Sequence, residues 1–352
     1  MNVRERLCPV GKINVALIGY GYWGPNLARN IVLNSSYQLV AVVDQDEKRR
    51  SLANALYGVL TFSSYEKIDD SLKIDLVVIC TRPSSHKFLA SYFIKNQMNV
   101  LITKPCGMSS MEADEIATLA EECGAKVFCD FTYHFSPLIN FLTSNPLATE
   151  IVSEMREYTS YRTSLGIVQS DVDVLADLAV HDIYILLLLK SELPIFVNCL
   201  KTNFSDNSQL NAAFLTLTWA DGFTAAIHVS WNSPKKVRFI SIASKDRGVI
   251  LEEMNREAPI QLVHFAPSDL DYVALTAEER YTRNVSFTMG NLEVPQIEMY
   301  EALGQETQMI AQALNAPNSG ATIPTARSAA NVWKVIEALR ESNRLGGVAQ
   351  NV

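Results

Sequence analysis

Six cysteines in 352 residues, none in a Cys-x-x-Cys pair, are too few and too scattered for a disulfide framework or a structural zinc site. Cys8, Cys80, Cys106, Cys123, Cys129 and Cys199 read as reduced thiols. Apart from His181, the histidines His86, His134, His228 and His264 share no spacing with one another or with carboxylates that marks a metal centre, and no metal is expected. The longest nearly pure apolar run, Ile183 to Leu189, ends at Lys190, far short of the roughly 20 residues that a bilayer span needs. No membrane helix is expected. Positive charge is not in excess: 30 Lys and Arg stand against 38 Asp and Glu, a net charge of -8, which argues against nucleic acid as a partner. With 15 Gly and 13 Pro, the chain is neither collagen-like nor of low complexity. There is no Ser-centred nucleophile elbow. No apolar run precedes Ile13, so no signal peptide is legible and a cytoplasmic location is expected.

What is present is a hydrophobic content of 48%, enough at roughly 150 residues per domain to fill two cores. From Ile13 to Asp130, runs rich in Val, Ile and Leu alternate with segments of helical period. The runs are Ile13 to Gly19, Leu39 to Asp44, Leu76 to Cys80, Val100 to Ile102 and Lys126 to Cys129. Glu47 to Leu56, Ser85 to Lys95 and Met111 to Cys123 are the helical candidates between them. This is the grammar of βαβ units and a parallel sheet. After about Asn145 the pattern changes. Ala212 to Trp231 reads as a hairpin about Asp221-Gly222, and a second hairpin turns at Asp246 to Gly248. Val174 to Leu189 reads as one apolar helix. Two helical patterns close the chain, Glu298 to Leu314 and Arg327 to Asn343, the latter with Thr325 as cap and Gly346 beyond its end. Ser268 to Asn284 reads as a polar surface excursion. The fold class is therefore α/β: a doubly wound parallel sheet, then an α+β domain with a large open, mostly antiparallel sheet.

Gly19-Tyr20-Gly21-Tyr22-Trp23-Gly24 follows the first run and opens a helix with Pro25 in its first turn. Alone, a G-x-G-x-x-G is weak evidence, and a glycine turn that binds nothing is the plain alternative. Here Asp44 ends the second strand about 20 residues beyond Gly24, where a carboxylate accepts hydrogen bonds from an adenosine ribose. Glycines let the backbone approach a pyrophosphate, and the helix start supplies N–H donors. Asp44 repels a 2′-phosphate, so NAD is favoured over NADP, although Lys48, Arg49 and Arg50 keep NADP open.

Lys104, in Thr103-Lys104-Pro105, follows a short strand and so stands at the carboxyl end of a parallel sheet, where such folds place ligands. A solvated surface lysine is the ordinary alternative. Asp177, His181 and Tyr184 share one face of the apolar helix. Polar groups there need partners or a cavity, since leaving one unpaired costs roughly 1–3 kcal/mol. A core histidine satisfied by Asp177 is the competing reading.

With these residues in view, the chain resembles the glucose–fructose oxidoreductase, inositol 2-dehydrogenase and rhizopine catabolism (Gfo/Idh/MocA) family of NAD(P)-dependent sugar oxidoreductases. The likeness runs almost end to end: Gly19 to Leu27, Thr81-Arg82-Pro83-Ser84-Ser85-His86, Thr103-Lys104-Pro105, Asp130-Phe131-Thr132-Tyr133, Arg162 to Asp171, and Asp177 to Asp182. The opening string and Leu165 to Gln169 are similar to the branch that modifies nucleotide-linked sugars. The resemblance implies a Rossmann domain over 1–130, a substrate-binding and oligomerisation domain over 131–324, and a C-terminal helix over 325–352 packing back on the first domain. It further implies Lys104, His181 and Asp177 as catalytic residues. Cofactor contacts would come from Gly19, Tyr20, Gly21, Tyr22, Trp23, Gly24, Asp44, Thr81, Pro83, His86, Thr103 and Lys104. Substrate contacts would come from Tyr133, Arg162, Asp177 and His181. A homodimer or homotetramer acting on a small sugar or nucleotide-sugar substrate is expected. Thr103 departs from the family's glutamate before the lysine, and Cys106-Gly107-Met108 departs from its small apolar continuation.

The leading function is hydride transfer between nicotinamide and a secondary alcohol or ketone of a sugar, with a nucleotide-linked sugar expected. The alternatives are a catalytically weak cofactor-binding regulator or scaffold of the same fold, and an inositol or free-sugar dehydrogenase. Retention of Lys104, Asp177 and His181 favours chemistry; Thr103 tells mildly against it.

Overall fold

A computed structural model describes residues 11–166, 171–202, 209–264, 276–279, 291–316 and 322–352, the side chain of Asp70 excepted. The chain forms two compact units, one of 1–136 with 300–334 and one of 137–299 with 335–352.

The first unit is built on six strands: β1 (Ile13–Ile18), β2 (Tyr37–Val43), β3 (Leu60–Phe62), β4 (Leu76–Ile79), β5 (Asn99–Thr103) and β6 (Val127–Asp130). All pair in parallel in the order β3-β2-β1-β4-β5-β6, the doubly wound Rossmann arrangement. Every residue of β4 and of β6 is buried, which is why β4 reads as an unbroken apolar run and β6 as one up to Asp130 at its end. Helices Gly24–Leu33, Glu47–Tyr57, His86–Lys95 and Ser110–Cys123 connect the strands. Their ends are marked chemically: Asp46 and Ser109 accept backbone N–H bonds at two starts, and Gly58 and Gly124 take left-handed conformations at two ends. Helix Ala302–Asn315 also belongs to this unit and buries Leu303, Glu306, Thr307, Ile310 and Ala311. The Tyr37 hydroxyl donates to its Thr307 carbonyl at 2.7 Å.

The second unit carries nine strands: β7 (Glu157–Leu165), β8 (Phe196–Lys201), β9 (Ala212–Thr218), β10 (Thr224–Ser230), β11 (Asn232–Ala243), β12 (Arg247–Glu252), β13 (Ile260–His264), β14 (Leu292–Glu293) and β15 (Gln350–Asn351). Their order is β14-β13-β12-β11-β7-β10-β9-β8-β15, antiparallel except where β7 pairs with β10. The two hairpins read from the sequence are β9–β10 and β11–β12. On β9 and β10, Ala213, Leu215, Leu217, Ala225, Ile227 and Val229 form the buried face.

The apolar segment expected as one helix is two: a π-helical stretch Leu175–Ala179 leads into the α-helix Val180–Lys190. Helix Ala302–Asn315 starts later than the pattern suggests, because Glu301 is its extended first cap. The division between units falls inside the last helix, Ala326–Arg344, between residues 334 and 335. Of the expected excursion at 268–284, only 276–279 lies among the described residues, as do none of Ile167, Val168 and Gln169. None of the five described cysteines is in a disulfide. No described helix is long and apolar enough to cross a membrane.

Candidate active site

The sheet order reverses between β1 and β4, which opens a crevice at the carboxyl ends of the strands. The glycine turn enters it directly from β1. Gly19 has φ +95°, and a Cβ there would sit 2.4 Å from the Cys80 carbonyl oxygen; one on Gly24 would sit 2.5 Å from that of Gly19. Both positions therefore demand glycine. The helix that follows has Trp23 at its cap with no side chain bonding its first N–H groups, and no acidic residue in its first turn. Such a start suits a pyrophosphate. Tyr20 is buried and Tyr22 exposed.

At the end of β2, Asp44 is half-buried with its side chain 8% exposed, and it takes two backbone bonds, from Tyr20 N to Oδ2 at 2.7 Å and from Asp46 N to Oδ1 at 2.9 Å. Arg49 lies 3.7 Å from the same Oδ2, and Arg50 donates to the Asp44 and Gln45 carbonyls at 2.8 Å. A carboxylate and a guanidinium thus share the place expected for the ribose.

After β4, the Thr81 and Ser85 hydroxyls bond at 2.7 Å, and Pro83 starts a short 3-10 turn. His86 is fully buried. Its Nδ1 meets the Pro105 carbonyl at 2.9 Å and its Nε2 the Thr81 carbonyl at 3.1 Å, so the ring braces the β4 turn against the β5 turn. Thr103 ends β5 with its hydroxyl donating to Ile79 O at 3.2 Å. Lys104 follows, half-buried, joined to Pro105 by a cis peptide.

Beside it in register, Asp130 closes β6. Trp23 Nε1 and the Thr132 hydroxyl donate to its two oxygens at 2.9 and 2.6 Å. Tyr133, half-buried, sits in the 3-10 turn Thr132–Phe135 of this unit. Glu306 brings a second, wholly buried carboxyl against Asp130. The sequence reading gave neither acid a role. The signal for Glu306 was present as an acid on the apolar stripe of its helix.

In the second unit, Asp177 lies in the π-helical stretch, a form common at functional sites. Trp231 Nε1 donates to its Oδ2 at 2.9 Å. Asp173 starts this segment, accepting from Ala176 N at 3.0 Å and from Arg340 Nε at 2.8 Å. His181 follows one wide turn after Asp177, half-buried, and Tyr184 is buried. Arg162 on β7 is buried and grips Asp182 with two bonds, Nε to Oδ2 at 2.6 Å and Nη2 to Oδ1 at 3.2 Å. The structure thus brings together Gly19 to Gly24, Asp44, Thr81, His86, Thr103, Lys104 and Tyr133 in the first unit, and Asp177, His181 and Arg162 in the second.

Residues 13–131 match the family model of the Gfo/Idh/MocA proteins, described as an oxidoreductase family with an NAD-binding Rossmann fold. Over these residues the chain matches the Gfo/Idh/MocA oxidoreductases. The chain is 24% identical over 244 residues to UDP-N-acetylglucosamine 3-dehydrogenase of Acidithiobacillus ferrooxidans, covering 69% of this chain and 75% of that one. It is 25% identical over 142 residues to 2,7-anhydro-N-acetylneuraminate hydratase of Escherichia coli, covering 40% of this chain and 36% of the other. In structure it is similar to the Acidithiobacillus dehydrogenase GnnA, with a TM-score of 0.79, 20% identity and coverage of 94% and 97%. GenD2 of gentamicin A biosynthesis, solved with NAD, gives 0.77, 19% and 97% of each chain. These likenesses extend the fold over both units.

Proposed function

We propose that this oxidoreductase moves hydride between nicotinamide and a secondary alcohol or ketone of a sugar, with a nucleotide-linked sugar as substrate and NAD as the preferred cofactor. The observation that carries the reading is Lys104 at the carboxyl end of β5, on the same edge of the parallel sheet as a glycine turn whose helix start is left without a side-chain cap. The name of the Acidithiobacillus relative, a UDP-sugar dehydrogenase, supports the substrate class.

The residues present fit the cofactor: Gly19 and Gly24 leave no room for a side chain, and Asp44 stands where a ribose is recognised. Gly19 to Gly24 and the first helical N–H groups would hold the pyrophosphate, with Thr81, Pro83, His86, Thr103 and Lys104 shaping the nicotinamide end. When bound, NAD supplies the hydride acceptor or donor. Lys104 stabilises the oxygen that gains negative charge, by its own charge and a hydrogen bond. His181 takes the hydroxyl proton in oxidation and returns it in reduction. Asp177, held by Trp231, orients His181 or a substrate hydroxyl, and Tyr133 contributes a substrate contact. The bonding of Arg162 to Asp182 supports fixing the helix that carries His181, more than a direct grip on substrate.

Self-association belongs to the same proposal. Phe214, His228, Tyr161 and Phe239 form a continuous row across four neighbouring strands of the exposed sheet face, with Phe214 and His228 stacked at 4.2 Å and each further neighbour at 6.0 Å. Leu165, Phe196 and Leu200 add exposed apolar surface on the same unit, and such surface marks an interface.

A panel of UDP- and other nucleotide-linked sugars with NAD, followed by nicotinamide fluorescence, tests the proposal. Turnover of a sugar nucleotide is expected. Cofactor binding with no turnover of any sugar favours the regulator, and turnover of inositol or free sugars alone favours the third reading.

A further inference from the structure

The glycine turn is pinned at both ends and left unbonded between them. At its entry, Gly19 N donates to Val43 O at 2.7 Å and Tyr20 N to Asp44 Oδ2 at 2.7 Å, so the end of β2 holds it. At its exit, the Trp23 carbonyl accepts from Asn26 N at 3.0 Å and Leu27 N at 3.3 Å, and the Trp23 indole Nε1 donates to Asp130 Oδ2 at 2.9 Å. Among the described residues, no acceptor meets the N–H groups of Gly21, Tyr22 and Trp23 between these pins. Successive N–H groups of a turn left in this way suit an anion.

The pin at the exit reaches far. β4 and β5 lie between β1 and β6 in the sheet, so at roughly 4.8 Å per strand the indole ties the turn after β1 to a strand about 14 Å away. The edge between them carries Thr81 after β4 and Thr103 at the end of β5. Asp130 is a firm anchor: it is 1% exposed, takes the Thr132 hydroxyl on its other oxygen at 2.6 Å and pairs in register with Thr103. An indole can donate and cannot accept. At the position before the helix, where Ser, Thr, Asp or Asn would turn an oxygen onto the first N–H groups, Trp23 leaves them open and directs its one polar side-chain atom to Asp130. Glycines at 19, 21 and 24 give the turn a freedom that must be ordered on binding unless it is ordered beforehand.

We propose that Trp23 is a positioning residue of the cofactor turn: its bond to Asp130 sets the turn in its binding shape before the cofactor arrives and leaves the N–H groups of Gly21, Tyr22 and Trp23 for the pyrophosphate. This rests on the cofactor reading of the turn given above and deepens it. Trp23 acts through Asp130 and the backbone, not through a side-chain contact with the cofactor.

The test is calorimetric titration of the full chain with NADH and with ADP-ribose, which carries the same pyrophosphate and no nicotinamide. Trp23→Phe removes the donor and is expected to weaken both ligands about tenfold. Asp130→Leu should do the same, and the double variant should lose no more than either single one, because the two residues act as a unit. Asp130→Asn keeps an oxygen for the indole and is expected to hold affinity within about threefold. Unchanged NADH affinity in Trp23→Phe overturns the proposal, as do additive losses in the double variant. A loss confined to NADH also overturns it, since that would place Trp23 at the nicotinamide. If Trp23→Phe does not fold, exchange of the Trp23 indole N–H with water decides, followed by nuclear magnetic resonance in the unaltered protein labelled with 15N-tryptophan. Slow exchange without NADH supports the proposal, and fast exchange until NADH is added overturns it. An unaltered protein that binds neither ligand sinks the cofactor reading as well, whereas equal binding by the unaltered protein and Trp23→Phe sinks this proposal alone.

Discussion

The backbone N–H of Tyr20 donates to Oδ2 of Asp44 at 2.7 Å, so the acid expected to read the cofactor ribose also holds the glycine turn. Each of its oxygens keeps a lone pair beyond the backbone bond it accepts. Arg49, 3.7 Å away and half-exposed, supplies an opposing charge. Tighter binding of NAD(H) than NADP(H) is expected, with a modest gap. Asp44→Ser should narrow it by relieving repulsion of the 2′-phosphate, and Arg49→Ala should widen it. Calorimetric titration showing tighter NADP(H) binding by the unaltered protein contradicts this.

Arg162 and Asp182 are both buried and bonded twice, so removing one partner strands the other's charge. Arg162→Ala should destabilise the protein by about 3–5 kcal/mol, seen as a large fall in Tm. If Arg162 instead grips substrate, KM rises while Tm holds. Thermal melts and steady-state kinetics on the same preparation separate the two.

Burial raises the folded pKa of Glu306 above its ordinary 4.5, so the unfolded chain releases this proton first as pH climbs. Stability from this group is complete below about pH 4.5 and is lost as pH rises towards the folded value, at about 1.4 kcal/mol per pH unit. Glu306→Gln has no such proton to lose. Its stability relative to the unaltered protein should therefore increase between pH 5 and pH 8 and match it near pH 4. Urea melts that show a constant difference across this range would rule the buried neutral carboxyl out.

The central strands of the first sheet were legible because both faces of β1, β4, β5 and β6 are covered, which writes them as apolar runs broken inside only at Asn14 and otherwise polar only at strand ends. β3 was not, since Leu60–Phe62 has three residues and none is buried. β7 escaped because its outward positions, Leu165 at its end excepted, are polar or aromatic and its buried ones include Ser160, Arg162 and Thr163. The π-helical stretch adds a residue to a turn inside an apolar run, and periodicity carries no sign of it. On the site, single residues at strand ends were readable from position. Their partners were not: Asp130 meets Glu306 and Trp23 only through tertiary packing, and Trp231 reaches Asp177 across 54 residues.

The aromatic row on the second sheet predicts association. Light scattering at micromolar concentration should give a dimer or tetramer, and Phe214→Glu, which places a charge beside His228, should shift it towards the monomer. A mass of 39.1 kDa for the unaltered protein contradicts the assignment of this face.

The central claim is that His181 and Lys104 perform the chemistry while the glycine turn holds the cofactor. The decisive measurement is turnover and NAD affinity, side by side, for His181→Asn and Lys104→Ala on the sugar nucleotide that the unaltered protein uses. Loss of a general acid–base group should lower turnover by about 10²–10⁴-fold, with NAD affinity little changed in either variant. Should His181→Asn instead unfold the chain and leave ordinary turnover in whatever fraction stays folded, His181 is a core histidine and the account is contradicted.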